Sequence, residues 1–576
     1  MGKTNPRNSG GPGADGQTIF LAVILVAALS VLGTVQIGAV ASWKLAGKDK
    51  PPLNPFQTLA GLIKGQMEWT VIATVAAVLL WLIIAGLVYL WVKSKPKKTT
   101  STTGQASKYL APKSDIASLS RKSAEKKAAK FIGEDAAKDY PGLRMGKDLQ
   151  SRRGVYSSWE DLYLVIFGPR RGKTTSQVIP AIVDAPGNVL TTSNKADIVY
   201  DTAAITEARG NVWIFDPQGL VAGRDDRPWY FDPLDAIRRD PMKMDSEAIA
   251  LADIFRSAAH GDNSTGDAFF SEGGRDLLGR LFLAAALDNR PITDVFRWVN
   301  DDEDRTPVGI LQRFDEWESM ADALNGTYSI TERTRSGLFS QAAQMAAPLG
   351  RRAIRQWVTP GDDKDKFEPE QFVRADHDTL YLLSKEGVDN AAALTTALAA
   401  ATMKAAERYG EENGLRLPVP MIAALDEAAN TVPWPELPKL YSHYGSRGII
   451  VMTILQSYAQ GVKAWGKEGM EALWSAASVL LYGGGVRDQD MLNKLELLIG
   501  DYEELTKSVS RSADGGRSTS IQAREKKILN AAELAALPYG QALAFTGRRP
   551  FALYLEPFWE RTYWNDETRQ LLPAQQ

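Results

Sequence analysis

The sequence predicts an α/β protein: a mostly parallel sheet covered by helices, interrupted by an all-helical insertion and preceded by a hairpin of two membrane-crossing helices. Three observations carry this. Short apolar runs at 188–192, 211–216, 379–383, 421–425, 448–455 and 478–482 alternate with helical stretches, the pattern of strands buried on both faces. Between 240 and 358 that rhythm stops, and the chain becomes Ala-, Leu- and Arg-rich at helical spacing, as in GRDLLGRLFLAAAL. Near the N-terminus, residues 19–43 and 69–92 are apolar runs, each long enough to cross a hydrocarbon core of about 30 Å.

In chain order, 1–93 reads as a membrane anchor, 94–150 as a tether, 151–239 and 359–576 as the two parts of the α/β body, and 240–358 as the inserted all-α domain. Composition supports the tether: it opens with Lys-Pro and a Thr/Ser run and passes through a charged helical segment. A cleaved signal peptide is the alternative for the first apolar run, but it is longer than a signal core and a second span follows closely. Lys93, Lys95, Lys97, Lys98, Lys108 and Lys113 follow the second span without an acid among them. Such a flank places the C-terminal bulk in the cytoplasm. The loop between the spans also carries Lys44, Lys48, Lys50 and Lys64, so the charge bias alone does not orient the hairpin.

The 576 residues contain no cysteine. That excludes a disulfide framework, thiolate metal sites and cysteine nucleophiles. His260, His377 and His443 stand far apart, which leaves no histidine-based zinc spacing. A net charge of -2 carries no global signature of a nucleic-acid binder, so any polyanion must meet a local patch.

The richest stretch is DLYLVIFGPRRGKTT. An apolar run ends at Phe167, a turn of Gly168, Pro169, Arg170, Arg171 and Gly172 follows, and Lys173, Thr174 and Thr175 open a helix. Successive backbone N–H groups beside a helix N-terminus form an anion-binding nest; the lysine reaches the terminal phosphates and the hydroxyl completes a Mg2+ shell. Three residues separate Gly168 from Gly172, one fewer than in the usual pattern. Aligned from the Gly-Lys-Thr end, Phe167 stands at the first glycine's place. An ATP site requires cytosolic ATP, and this orients the hairpin with both termini inside.

A phosphate cradle needs carboxylates for the metal and the attacking water. The apolar run 421–425 ends in Asp426 and Glu427, at the strand end where parallel sheets bind ligands. An acidic helix cap is the plainer reading of that pair alone; its weight comes from the P-loop in the same domain. The run 448–455 ends in Gln456; by position alone a strand-end glutamine is more often a surface or cap residue, the alternative being one that shares the crevice and senses a γ-phosphate.

With these residues the chain resembles the type IV secretion coupling proteins, the TraG/TraD-type conjugative ATPases. The resemblance covers most of the chain. It includes the two-span N-terminus, the P-loop followed by Val178-Ile179-Pro180, the strand ends Phe215-Asp216-Pro217 and Asp232-Pro233-Leu234, and the helical insertion. It continues through Tyr381-Leu382-Leu383-Ser384, Leu425-Asp426-Glu427-Ala428, Gln456-Ser457 and Gly500-Asp501. It implies a RecA-like P-loop NTPase fold, ATP and Mg2+ as cofactors, a homo-hexamer, and a place in the bacterial inner membrane. It also implies transfer of relaxase-bound single-stranded DNA, with accessory proteins, into a type IV secretion channel. The roles it implies are phosphate contact for Lys173, metal binding for Thr174 and Asp426, water activation for Glu427 and γ-phosphate sensing for Gln456. Gly445 falls where related motors carry a trans-acting arginine, and Arg447 is the nearest substitute. Two rivals share the active site: a double-stranded DNA pump of the chromosome-partitioning type, and a substrate receptor or protein-export ATPase.

Overall fold

The computed structural model describes residues 102–224, 228–260, 268–385, 387, 391–511, 517–547, 549–561 and 564, with scattered stretches between 32 and 86. The chain divides into two compact units, Met1–Thr99 and Thr100–Gln576. In the first, helix Pro55–Ile63 starts at Asn54, whose side chain accepts a hydrogen bond from the Phe56 N–H at 3.0 Å. Much of the two apolar runs expected to span a membrane lies outside the described residues. Among the described residues no helix is long and apolar enough to cross one.

The second unit is built on an 11-stranded sheet. In chain order its strands are β1 (Arg144–Asp148), β2 (Gly154–Tyr156), β3 (Tyr163–Ile166), β4 (Val189–Ser193) and β5 (Val212–Phe215). A two-residue pair outside it joins β6 (Trp229–Tyr230) to β7 (Asp365–Lys366). Then come β8 (Thr379–Leu383), β9 (Met421–Leu425), β10 (Ile449–Leu455) and β11 (Val479–Tyr482). A separate hairpin of β12 (Asp501–Arg511) and β13 (Arg517–Lys527) precedes β14 (Gln541–Phe545) and β15 (Phe551–Tyr554).

The seven strands β11-β3-β10-β9-β4-β8-β5 are parallel, as the apolar runs predict. β3, β4, β8, β9, β10 and β11 are buried at every position, because helices cover both faces. Beyond β11 the sheet turns antiparallel through β14, β15, β1 and β2. The α/β class with a mostly parallel sheet is therefore the one the sequence indicates.

Between β6 and β7 the described chain is helical and holds no strand. Helix Ala268–Leu287 lies at its centre, packed against Met244–His260 and Glu332–Ala346. Close approach needs small residues: a Cβ on Gly274 would come within 2.7 Å of Gln341, and one on Gly279 within 2.6 Å of Ile249. Helix Met244–His260 also packs on helix Ala392–Glu412 of the α/β body, and the two regions share one apolar core. Trp213, Phe215, Trp229, Trp357 and Phe367 form an aromatic cluster where the chain leaves the sheet and returns to it.

Two segments differ from their sequence readings. The stretch expected to be a tether contains helices Lys113–Ala117, Arg121–Ile132 and Glu134–Asp139 and then β1 itself. β1 is held by charge as well as by its ladder: Arg144 and Lys147 both pair with Glu556, which is only 1% exposed. The stretch 508–520 has the Ser and Gly content of a surface loop, yet its described residues, 508–511 and 517–520, belong to β12 and β13.

Candidate active site

Parallel register brings the strand ends together. Leu455 of β10 pairs with Ile166 of β3, and Leu425 of β9 pairs with both Thr453 of β10 and Thr192 of β4. The residues following these strands therefore emerge along one edge of the sheet. They are the P-loop, Asp426-Glu427, Gln456 and Asn194.

The short P-loop spacing has a structural explanation. Phe167 is fully buried and continues the sheet, its N–H donating to the Leu455 carbonyl at 3.1 Å. Gly168 is the residue that must be small: its N–H donates to the Gly484 carbonyl, and a Cβ there would meet the Gly485 carbonyl oxygen at 2.3 Å. The turn is then made by left-handed residues, Arg170 at φ 58° and Gly172 at φ 78°. Lys173 returns to right-handed helical angles, φ -56° and ψ -50°. A left-handed residue followed by a right-handed one turns successive N–H groups to the same side, which is how an anion nest forms.

The helix beyond opens as a π-helical turn, Thr174–Val178, before the α-helix Ile179–Val183. Pro180 has no N–H to offer the Ser176 carbonyl. Arg561 supplies the donor instead, its Nη2 lying 2.9 Å from that oxygen. The Arg561 side chain is fully buried, pairs with Asp184 at 3.2 Å and donates to the Arg144 carbonyl. Trp564 Nε1 donates to the other oxygen of Asp184. No motif marks Arg561 in the sequence.

Five of the residues singled out from the sequence meet at the crevice. Lys173 Nζ lies 2.8 Å from Glu427 Oε1 and 3.1 Å from Asp426 Oδ1. Thr174 Oγ1 donates to Asp426 Oδ2 at 2.9 Å, and Gln456 Nε2 donates to Glu427 Oε1 at 2.7 Å. Asp426 Oδ1 is buried and, despite the nearby ammonium, accepts no well-directed hydrogen bond. Burial raises the Asp426 carboxyl above its ordinary pKa, against the opposing pull of Lys173 and Thr174.

Glu427 adopts left-handed angles, φ 53° and ψ 42°, a conformation that costs a β-carbon-bearing residue roughly 1–2 kcal/mol. The strained turn lets two consecutive acids face one crevice. It is held by the Asn430 and Thr431 N–H groups donating to the Glu427 carbonyl, and by Thr192 Oγ1 and Thr431 Oγ1 donating to that of Asp426.

Asn194 was not singled out by the sequence. Its Nδ2 donates to Glu427 Oε2 at 2.7 Å, so with Gln456 on the other oxygen the carboxylate is gripped from both sides. The available signal was its place one residue beyond β4, on the same edge as the other strand ends. Arg447 lies elsewhere, two residues before β10 and thus at the opposite end of the strand from Gln456. There it pairs with Glu411 at 2.9 Å and Glu407 at 3.2 Å.

The site's own atoms test the fit of Mg2+. A hydroxyl and a carboxylate in contact, with one carboxylate oxygen short of partners, are hard oxygen donors suited to that ion. Thr174 and Asp426 would hold it and Lys173 would face phosphate oxygens. Glu427, held by Asn194 and Gln456, presents its carboxylate to the same crevice.

Residues 420–539 match the family described as "TraM recognition site of TraD and TraG". They include β9, β10, Glu427 and Gln456, so the match supports the TraG/TraD-type resemblance. The fold is similar to that of the bacterial conjugative coupling protein TrwBdeltaN70 in two crystal forms. The unbound monoclinic form is 17% identical, covers 72% of this chain and 88% of its own, and gives a TM-score of 0.51. The trigonal form in complex with sulphate is 16% identical, covers 72% and 89%, and gives 0.52. The plasmid coupling protein TrwB in complex with ADP and Mg2+ is 16% identical, covers 69% and 85%, and gives 0.49. No curated protein matches the chain.

Proposed function

We propose that the chain is a conjugative coupling protein of the TraG/TraD type, an ATPase that recruits relaxase-bound single-stranded DNA and drives it into a type IV secretion channel. The observation that carries the chemistry is the convergence of Lys173, Thr174, Asp426, Glu427 and Gln456 on one sheet edge. The family match over 420–539 and the TrwB-like fold support the biological role.

In this reading the P-loop residues 168–175 bind ATP, Lys173 releases its carboxylate partners to reach the phosphates, and Thr174 and Asp426 hold Mg2+. The ion supplies charge neutralisation on the phosphate oxygens. Glu427 accepts the proton of the attacking water, and Gln456 links that carboxylate to the terminal phosphate. Arg447, facing away from its own site, is assigned to a neighbouring subunit of a homo-hexamer.

The anchor comprises residues 1–93, with spans near 19–43 and 69–92 and both termini in the cytoplasm of a bacterial cell. Exposed Val71, Leu79, Trp81 and Leu82 in the second apolar run support a lipid-facing surface. Residues 240–358 form the inserted domain that selects the DNA or its escort.

The test is ATP turnover by the full chain in membranes, with and without single-stranded DNA. Lys173→Ala is expected to lower turnover at least about 100-fold, and single-stranded DNA to stimulate the wild type. Preference for duplex DNA would favour a chromosome-type pump; binding without DNA-stimulated turnover would favour a receptor. Asn194→Ala is expected to reduce kcat by about 10- to 100-fold, the scale of misplacing a reacting group. KM for ATP should stay within about twofold of wild type, because Asn194 touches the base and not the phosphate loop.

A further inference from the structure

One aromatic ring beside the P-loop has no part in the chemistry above. Tyr539 is 72% exposed, yet the turn that carries it is firmly attached. The Gln541 N–H donates to the Pro538 carbonyl, and Gly540 takes φ 75°, as the third position of a type II turn requires. Tyr539 therefore stands at the second position of a rigid turn.

That turn is bolted to the phosphate loop. Arg171 Nη2 donates to the Leu537 carbonyl at 2.6 Å, the Gly485 N–H to that of Ala535, and Tyr482 Oη to that of Leu534. Gly484 and Gly485 leave room for this arrangement, since a Cβ on either would strike the Arg171 guanidinium at 2.8 Å. On the far side the Leu555 N–H closes onto the Gly540 carbonyl.

The position of the hydroxyl identifies the side of the site it serves. A Cβ on Gly172 would lie 3.7 Å from Tyr539 Oη and 3.6 Å from Thr175 Oγ1. Thr174 turns toward Asp426, whereas Thr175 turns back toward the Gly172 carbonyl. Tyr539 Oη thus stands on the Thr175 side of Gly172; a nucleotide whose terminal phosphate meets Asp426 and Glu427 would extend its nucleoside toward this side.

We infer that Tyr539 is a stacking platform for the nucleobase of the bound nucleoside triphosphate. This rests on the nucleotide-site reading of the P-loop and deepens it. An exposed, pre-positioned ring loses little entropy on stacking and accepts any base by its face.

The experiment measures equilibrium binding of ATP, GTP and inorganic tripolyphosphate to the full-length protein carrying Tyr539→Ala or Tyr539→Phe, with Lys173→Ala as control. Tyr539→Ala is expected to weaken ATP and GTP alike by roughly tenfold and to leave tripolyphosphate unchanged, while Tyr539→Phe binds all three like wild type. Unchanged ATP affinity in Tyr539→Ala overturns the platform, as does an equal loss of ATP and tripolyphosphate, which would assign the ring to the phosphates. Loss of ATP affinity in Tyr539→Phe overturns it too, since the hydroxyl and not the face would then be the contact. If wild type and Lys173→Ala bind ATP equally, the P-loop reading itself fails, a result separable from failure of the platform alone.

Discussion

Glu427→Gln is expected to lower kcat for ATP hydrolysis by about 10²–10⁴-fold, the usual contribution of a positioned general base, while ATP binding is retained. The substitution keeps the side chain's shape and removes only its charge and basicity. Gln456 Nε2 and Asn194 Nδ2 now donate to separate oxygens of Glu427; an amide can accept from only one of them. Lys173 keeps Asp426 as a partner, so the protein should fold and load nucleotide. Single-turnover kinetics with bound ATP checks the expectation. Turnover within about threefold of wild type would remove Glu427 from the base role.

Arg561→Ala is expected to give the largest loss of stability, about 3–5 kcal/mol, because it breaks a buried ion pair and leaves its partner uncompensated. The damage is larger than one pair. The Ser176 carbonyl, which Pro180 cannot serve, loses its donor, and so does the Arg144 carbonyl in β1. Asp184 retains only the indole of Trp564 among these partners. A fall in the thermal unfolding midpoint should therefore accompany weaker nucleotide binding, since the same guanidinium braces the helix that begins at Thr174. An unchanged midpoint would mean that solvent replaces these contacts without cost.

What was legible in the sequence follows a physical division. The parallel strands announced themselves because burial on both faces demands uninterrupted apolar runs, and strands such as 379–383 and 421–425 match their sequence bounds. The acids were legible because a polar pair ending a buried strand has only the sheet edge to occupy. Asn194 and Arg561 were not, because their meaning lies in contacts with residues 233 and 385 positions away. β1 was hidden for another reason: RMGKD has no apolar alternation. It is a strand because β15 and the buried Glu556 receive it. The P-loop spacing was visible as a departure, but only the packing of Phe167 beneath Gly483 and of Gly168 against Gly485 explains how it is accommodated.

The antiparallel extension of the sheet ties the first strands to the last. β1 and β2 reach β11 only by way of β15 and β14, and the ion pair that seals this junction joins residues 412 positions apart. At a synthesis rate of about 5–20 residues per second, the two halves of that junction leave the ribosome roughly 20–80 s apart. For that interval the early strands have no sheet to join, and a chain interrupted before 541 can never close. Closure of the sheet thus waits on the synthesis of β14 and β15: no fragment lacking those two strands can seat β1 and β2 on β11.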